Sequence, residues 1–349
     1  MKVHQFLHSL DLRTGGVCEA VIRLNEELVR IGCEAEIIDS PSKAGKCDQF
    51  SIAHGLWQWP GVVAYKNWKI RKPPYLVFPH GMLDPWFKTT FPIKHIKKQL
   101  YWWWRQKSIL NKAYAVCFTT EEERRLAQKT FWPYKCREVV TGLGVCDPPD
   151  NVELQKSIFE KKFPEVFDRN ILLFMGRIHP KKGVDLLLNA FSKNSTEKDI
   201  LVIAGPIEQA DPYVRKLQDK AKDLGKKVLW TDMLEGDLKW GALRKADALI
   251  LPSHQENYGM VVAEACSVGT PIFTTNKVNL YSEILEYEAG IIEDDTRRGI
   301  DNLVLAWMDR RHQNMQKNAL RCFREKLHIS NTARKIVDLF NEVKETSPE

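Results

Sequence analysis

No apolar run approaches the roughly 20 residues that a bilayer-spanning helix requires, although 44% of the 349 residues are hydrophobic. The opening stretch, MKVHQFLH, lacks the apolar core of a secretory signal. Cytoplasmic residence is therefore the expectation. The eight cysteines form no CxxC pair and no Cys/His metal spacing, which points to thiols rather than disulfides or zinc. No tandem period and no low-complexity tract is present, which excludes solenoids and disordered arrays. Acid is scarce in one region. Between Val62 and Lys112 stand eleven Lys/Arg against a single acid, Asp84, with Trp68, Trp86, Trp102, Trp103 and Trp104 among them. In a chain of net charge +7, such a stretch suits an anionic surface. Nucleic acid is not an expected partner, because no recognised binding motif accompanies the basic residues.

The length exceeds what one hydrophobic core usually organises, so two domains are expected. Short apolar runs followed by helix-like segments recur in both halves, the pattern of parallel sheets covered by helices. KVHQFLH, AEIID, YLVFPHG and AVCFTT read as strands in the first half. NILLFMG, ILVIAGP, KVLWTD, ADALILPS and TPIFTT do so in the second. The polar stretch from Cys146 to Asn170, beginning CDPPDN, marks the join. The expected division is residues 1–150, residues 151–328, and a C-terminal helix in 329–349, for which packing on the first domain is one open reading.

Ligands of open parallel sheets bind beyond the carboxyl ends of the strands, where loops lead into helix N-termini. GRIHPKKG places Arg177, Lys181 and Lys182 at such a loop, just ahead of the amphipathic LLLNAF. Gly15 and Gly16 precede another helix, where a permissive turn and an anion cradle are both open readings. HQENYGMVVAEACSVGTP carries Glu256 and Glu264, eight positions apart. If the segment were helical throughout, their backbones would stand about 12 Å apart. Glycosidase carboxylate pairs are closer, at roughly 5 to 9.5 Å. The two glutamates therefore serve different parts of one long ligand.

In their order, GRIHPKKG, LLLNAF, AGP and ADALILPSHQENYGMVVAEACSVGTPI resemble the C-terminal half of the family-4 retaining glycosyltransferases. Glu256 and Glu264 fit that family's E-x7-E motif, and HSLDLRTGGV and FPHGMLDPW are similar to its N-terminal half. The resemblance implies the GT-B fold, two Rossmann-like doubly wound α/β domains facing across a donor-binding cleft. It implies transfer of a hexose from a nucleotide diphosphate sugar, UDP-glucose, to a glycan or lipid-linked acceptor in polysaccharide biosynthesis, with no cofactor and no metal. By the same resemblance, Arg177 and Lys182 bind the diphosphate, Glu256 touches the donor sugar and Glu264 the ribose. The loop and helix start at Asn257, Tyr258, Gly259, Met260 and Val261, with Gly15 and Gly16, belong to the donor site. His80 lies near the reaction centre. Met233 stands where the base meets backbone, although Asp232 replaces the family's usual glycine there.

The residues support these roles independently. Breaking a sugar–diphosphate bond builds negative charge on the leaving group, which two fixed cations and a helix N-terminus can stabilise. Other features read as plain structure: TTEEE at 119–123 as a capping box with Thr120 and Glu123, and EDD at 293–295 as a solvated turn. The Lys94–Leu110 segment suits peripheral contact with the inner face of a membrane, although three successive tryptophans cannot all share one helix face. Two other readings stay open: a GT-B synthase with a small soluble acceptor, and a non-catalytic basic module that binds membrane or nucleic acid.

Overall fold

A computed structural model of the chain describes residues 1–11, 16–45, 50–208 and 210–346. The chain divides into two units, Met1–Cys146 with Leu327–Glu349, and Asp147–Lys326.

In the first unit, β1 (Lys2–Phe6), β2 (Glu34–Ile38), β3 (Phe50–His54), β4 (Tyr75–Phe78), β5 (Ala115–Phe118) and β6 (Glu138–Val140) form one sheet, ordered β2-β1-β3-β4-β5-β6. Every pairing is parallel. Side chains alternate across the sheet, so Tyr75 and Val77 enter one core while Leu76 and Phe78 enter the other. A sheet buried on both faces needs continuous apolar runs, and YLVF and AVCF supply them. The expected strands are all present. FSIAH, EVV and GIIE form strands as well, and sequence reading passed over them.

The helix Ile329–Thr346 closes the first unit. Ile329, Ala333, Ile336, Leu339 and Phe340 fall on one stripe and are buried with Val3, Leu24, Leu28 and Phe78. Burial of each large apolar side chain contributes about 1.5–3 kcal/mol, so this terminal segment is integral to the unit's stability.

In the second unit, β7 (Asn170–Met175), β8 (Asp199–Ala204), β9 (Val228–Asp232), β10 (Ala248–Leu251), β11 (Ile272–Thr275) and β12 (Gly290–Glu293) form a second parallel sheet, ordered β12-β11-β10-β7-β8-β9. Counted within the unit, this is the 3-2-1-4-5-6 order of a Rossmann sheet, read from the other edge. The polar stretch from Cys146 is not a long linker. It folds into the helix Val152–Lys162, which packs on the helix Gly236–Lys245. Gln155 is fully buried there, donating to Asp237 Oδ1 at 3.0 Å and accepting from Arg244 Nε at 2.9 Å. A buried amide with both ends satisfied explains why a polar sequence lies inside the fold.

The tryptophan run is resolved by burial: Trp102 is 1% exposed, Trp103 51% and Trp104 73%. Trp102 stacks on Phe131 and donates its indole N–H to the Pro133 carbonyl. Among the described residues, no helix is long and apolar enough to cross a membrane.

Candidate active site

In a sheet of 3-2-1-4-5-6 order, the strand direction of travel reverses between the first and fourth strands, and the loops leaving those strands diverge to leave a crevice. Here those strands are β7 and β10, which are hydrogen-bonded neighbours. The loop after β7 holds Arg177, His179 and Lys182, and the loop after β10 holds His254 and Glu256. Two contacts lock the loops together. The His254 N–H donates to the Lys181 carbonyl at 2.8 Å, and Gly183, at φ 68°, passes so close that a Cβ there would stand 2.2 Å from the Pro252 oxygen. Only glycine fits that position without moving the chain.

This locking brings Lys182 to Glu256, whose carboxylate its ammonium contacts directly. Both side chains are only partly buried, at 15% and 22% exposure. Glu256 is not helical. Its N–H donates to the Lys277 carbonyl and its own carbonyl accepts from Asn279, so it stands on a short bridge ahead of the helix Met260–Ser267. Gly259, at φ 75°, caps that helix. Asn257, Tyr258 and Gly259 form the turn, Met260 and Val261 start the helix, and Glu264 lies one turn further. Lys239, from the helix Gly236–Lys245, meets Glu264 at 2.7 Å. Sequence reading missed Lys239, since no spacing links a lysine in one helix to a glutamate in another. The crevice therefore holds both glutamates already paired with cations.

Arg177 is exposed and forms no ion pair among the described residues. Met233 lies apart from this group, 60% exposed beyond β9 at the sheet edge. The aspartate before it takes over the backbone role of glycine. Asp232 adopts φ 61°, and its Oδ1 accepts from the N–H groups of Met233 at 2.8 Å and Ile207 at 3.1 Å. Aspartate tolerates the left-handed conformation because its carboxylate bonds locally.

The EDD turn is more than a solvated loop. Asp295 pairs with His254 at 3.1 Å, and Asp294 accepts from the Asn276 amide, so the turn braces the loop that carries Glu256. No group of three or more His, Cys, Asp or Glu among the described residues is arranged to hold a metal ion.

In the first unit, Gly16 opens the helix Gly16–Arg30, and Gly15 lies outside the described residues. His80 follows β4 with φ 50°, a left-handed backbone rare for a residue with a side chain. It is 8% exposed. Its Nε2 lies 3.0 Å from His54 Nδ1, and His54 Nε2 lies 3.0 Å from Gln5 Oε1. Burial lowers the His80 pKa to about 4. Burial, then the neighbouring His80, holds His54 well below the usual imidazole range. Glu123 also departs from a plain capping role. Thr120 does cap its N–H, but the carboxylate crosses to the His80 loop and accepts the Gly81 N–H at 2.5 Å.

Residues 155–321 match the model of the glycosyl transferases group 1, and residues 44–141 match that of a glycosyl transferase 4-like domain. Both matches are to glycosyl transferase models, the first over a little under half of the chain and the second within its first unit. An uncharacterized glycosyltransferase of Methanocaldococcus jannaschii is 27% identical over 216 residues, covering 59% of this chain and 54% of that protein. The chain thus spans about half the length of that relative. Sucrose-phosphate synthase from Thermosynechococcus elongatus superposes with TM-score 0.76 at 16% identity, covering 99% of this chain and 100% of the other. Anabaena HepE in complex with UDP-glucose superposes at 0.75 with 13% identity, covering 98% and 100%. These likenesses establish the GT-B fold, and the two parallel sheets are its two Rossmann-like domains.

Proposed function

We propose that this chain transfers a hexose from UDP-glucose to a glycan or lipid-linked acceptor, with retention at the anomeric carbon and without a divalent metal. The observation that carries the reading is the pair of cation–glutamate contacts at the β7/β10 switch point, Lys182 with Glu256 and Lys239 with Glu264. A nucleotide sugar presents a diphosphate flanked by two polyols, and here two carboxylates are each held by a lysine. The UDP-glucose bound in a protein of like fold supports the choice of donor.

In this mechanism the bond from the anomeric carbon to the diphosphate oxygen breaks as the acceptor oxygen bonds to the same face. The acceptor's proton passes to the departing phosphate oxygen. Arg177 and Lys182 stabilise the charge that grows on the diphosphate, with the N–H groups at Met260 and Val261 adding the positive end of the helix dipole. Glu256 accepts from hydroxyls of the hexose, Glu264 from the ribose diol, and the backbone at Met233 meets the base.

The acceptor reading rests on the segment Pro92–Gln106. Ile93, Ile96 and Leu100 are all exposed along its helix, continued by Trp103 and Trp104. Exposed Lys94 and Lys97 give this apolar stripe the charge that an anionic membrane attracts. Lys98 does not join them; it is turned inward over the rings of Trp57 and Phe87, and burial lowers its pKa. Ile96→Asp with Leu100→Asp should abolish sedimentation with anionic liposomes, and retained binding would remove the membrane reading.

The test of the donor is a thermal-shift series with UDP, GDP and ADP sugars, followed by product analysis. A ligand at a hundred times its dissociation constant adds about 2.7 kcal/mol to stability. Stabilisation by UDP-glucose with formation of a retained glycoside supports the reading; no response to any nucleotide sugar rejects it.

A further inference from the structure

A buried line of polar side chains crosses the first unit's sheet where its strand order switches, between β1 and β3. Gln5 lies on β1, His54 ends β3 and His80 follows β4. Asn25 closes the line from the helix Gly16–Arg30. The links are Gln5 Nε2 to Asn25 Oδ1 at 3.0 Å, His54 Nε2 to Gln5 Oε1 at 3.0 Å, and His80 Nε2 to His54 Nδ1 at 3.0 Å. Gln5, His54 and His80 are 0%, 1% and 8% exposed. At the far end, His80 Nδ1 is buried without a hydrogen-bond partner among the described residues.

The direction of the protons follows link by link. Asn25 Oδ1 can only accept, so Gln5 turns its amide nitrogen toward it and its oxygen toward His54. That oxygen can only accept, so His54 carries its proton on Nε2. A neutral imidazole has one proton, which leaves His54 Nδ1 as an acceptor and requires the proton of His80 on Nε2. His80 Nδ1 is then a bare lone pair.

We infer that Asn25, Gln5 and His54 form a directional relay that holds His80 as the Nε2–H tautomer and so leaves Nδ1 to accept a hydroxyl hydrogen from a sugar. The sugar contact rests on the donor reading proposed above; the relay itself does not. His54, Gln5 and Asn25 are positioning residues that act through His80. Two further features bear on the same atom. A buried acceptor without a partner is costly, and a ligand hydroxyl relieves that cost. The His80 backbone is held in its left-handed conformation while Glu123 grips the following N–H, the kind of over-determined strain that collects at ligand-binding positions. Oriented in this way, His80 cannot serve as a proton donor at Nδ1. It favours a sugar that presents a hydroxyl to that atom.

The test is the tautomer itself, read by long-range proton–nitrogen correlation on the full chain labelled with ¹⁵N-histidine. The His80 signals among the nine histidines are assigned by their loss in His80→Gln. Wild-type protein should show His80 protonated at Nε2 and bare at Nδ1. His54→Phe keeps an aromatic ring but removes both relay atoms. It should release His80 into a mixture of tautomers and lower transfer about tenfold, a change of about 1.4 kcal/mol in activation free energy. His54→Gln can still accept from His80 and donate to Gln5, so it should restore both the tautomer and most of the rate. A wild-type His80 protonated at Nδ1 overturns the relay, and this measurement needs no variant to fold. An unchanged His80 tautomer in His54→Phe overturns it as well. If the relay is observed but His80→Ala transfers sugar at the full rate, the sugar contact fails while the relay and the donor reading stand.

Discussion

Changing Glu256 to Gln should tighten the binding of free UDP while impairing sugar transfer. Without ligand, the Lys182 ammonium is engaged by the Glu256 carboxylate. A diphosphate arriving at Lys182 must compete with that carboxylate. UDP lacks the hexose, so Glu256 has no hydroxyl to turn to when it is displaced. The pair is 15% and 22% exposed, which leaves water enough access to keep its strength in the range of solvent-screened ion pairs, about 0.2–1 kcal/mol. At 1.4 kcal/mol per factor of ten, removing the competitor should lower the UDP dissociation constant by about 1.4- to 5-fold. Glu264→Gln should shift it in the opposite direction, because Glu264 is assigned to the ribose that UDP does carry. Titration calorimetry with UDP on both variants measures the two signs. Equal losses of affinity, or weaker UDP binding by Glu256→Gln, would refute the division of labour between the glutamates and the competition for Lys182.

Transfer should continue in excess EDTA, and Arg177→Ala or Lys182→Met should each lower the transfer rate roughly a hundredfold or more, in line with losing one preorganised charge donor; loss of turnover in EDTA that magnesium or manganese restores argues against metal-free charge stabilisation. Phe340→Ala should destabilise the first unit by about 3–5 kcal/mol, since the ring is fully buried under the sheet, and denaturant unfolding followed by Trp102 fluorescence reads it. The His80 pKa is held near about 4, below its unfolded value, so the unfolded chain takes up the proton first on acidification and stability falls with pH from about 6.5 downwards. His54 shifts in the same direction, and a His54→Phe, His80→Phe double variant should lose much of this slope in urea midpoints measured between pH 7 and 4.5.

The sequence by itself determined the parallel α/β class and the glycine-bearing loop–helix motifs of the second unit. Both are local properties: a strand buried on two faces needs an unbroken apolar run, as in NILLFM and DILVIA, and loop–helix turns need glycine, at Gly183 for close approach to another segment and at Gly259 for its positive φ. It also showed that Trp102, Trp103 and Trp104 cannot share one environment, because helix geometry alone sets their directions. Tertiary structure decided which residues meet. Lys239 reaches Glu264 across 25 positions, and Asp295 reaches His254 across 41. The relay needs Gln5, Asn25, His54 and His80 from two strands, a helix and a loop, one of the strands being FSIAH, which sequence reading passed over. Such partners carry no spacing signature, because the distance between them is set by strand order in the sheet and not by position along the chain. The same holds for the last helix. Its amphipathic stripe is written in the sequence, but the core it fills is chosen by the path the chain takes back to the first unit.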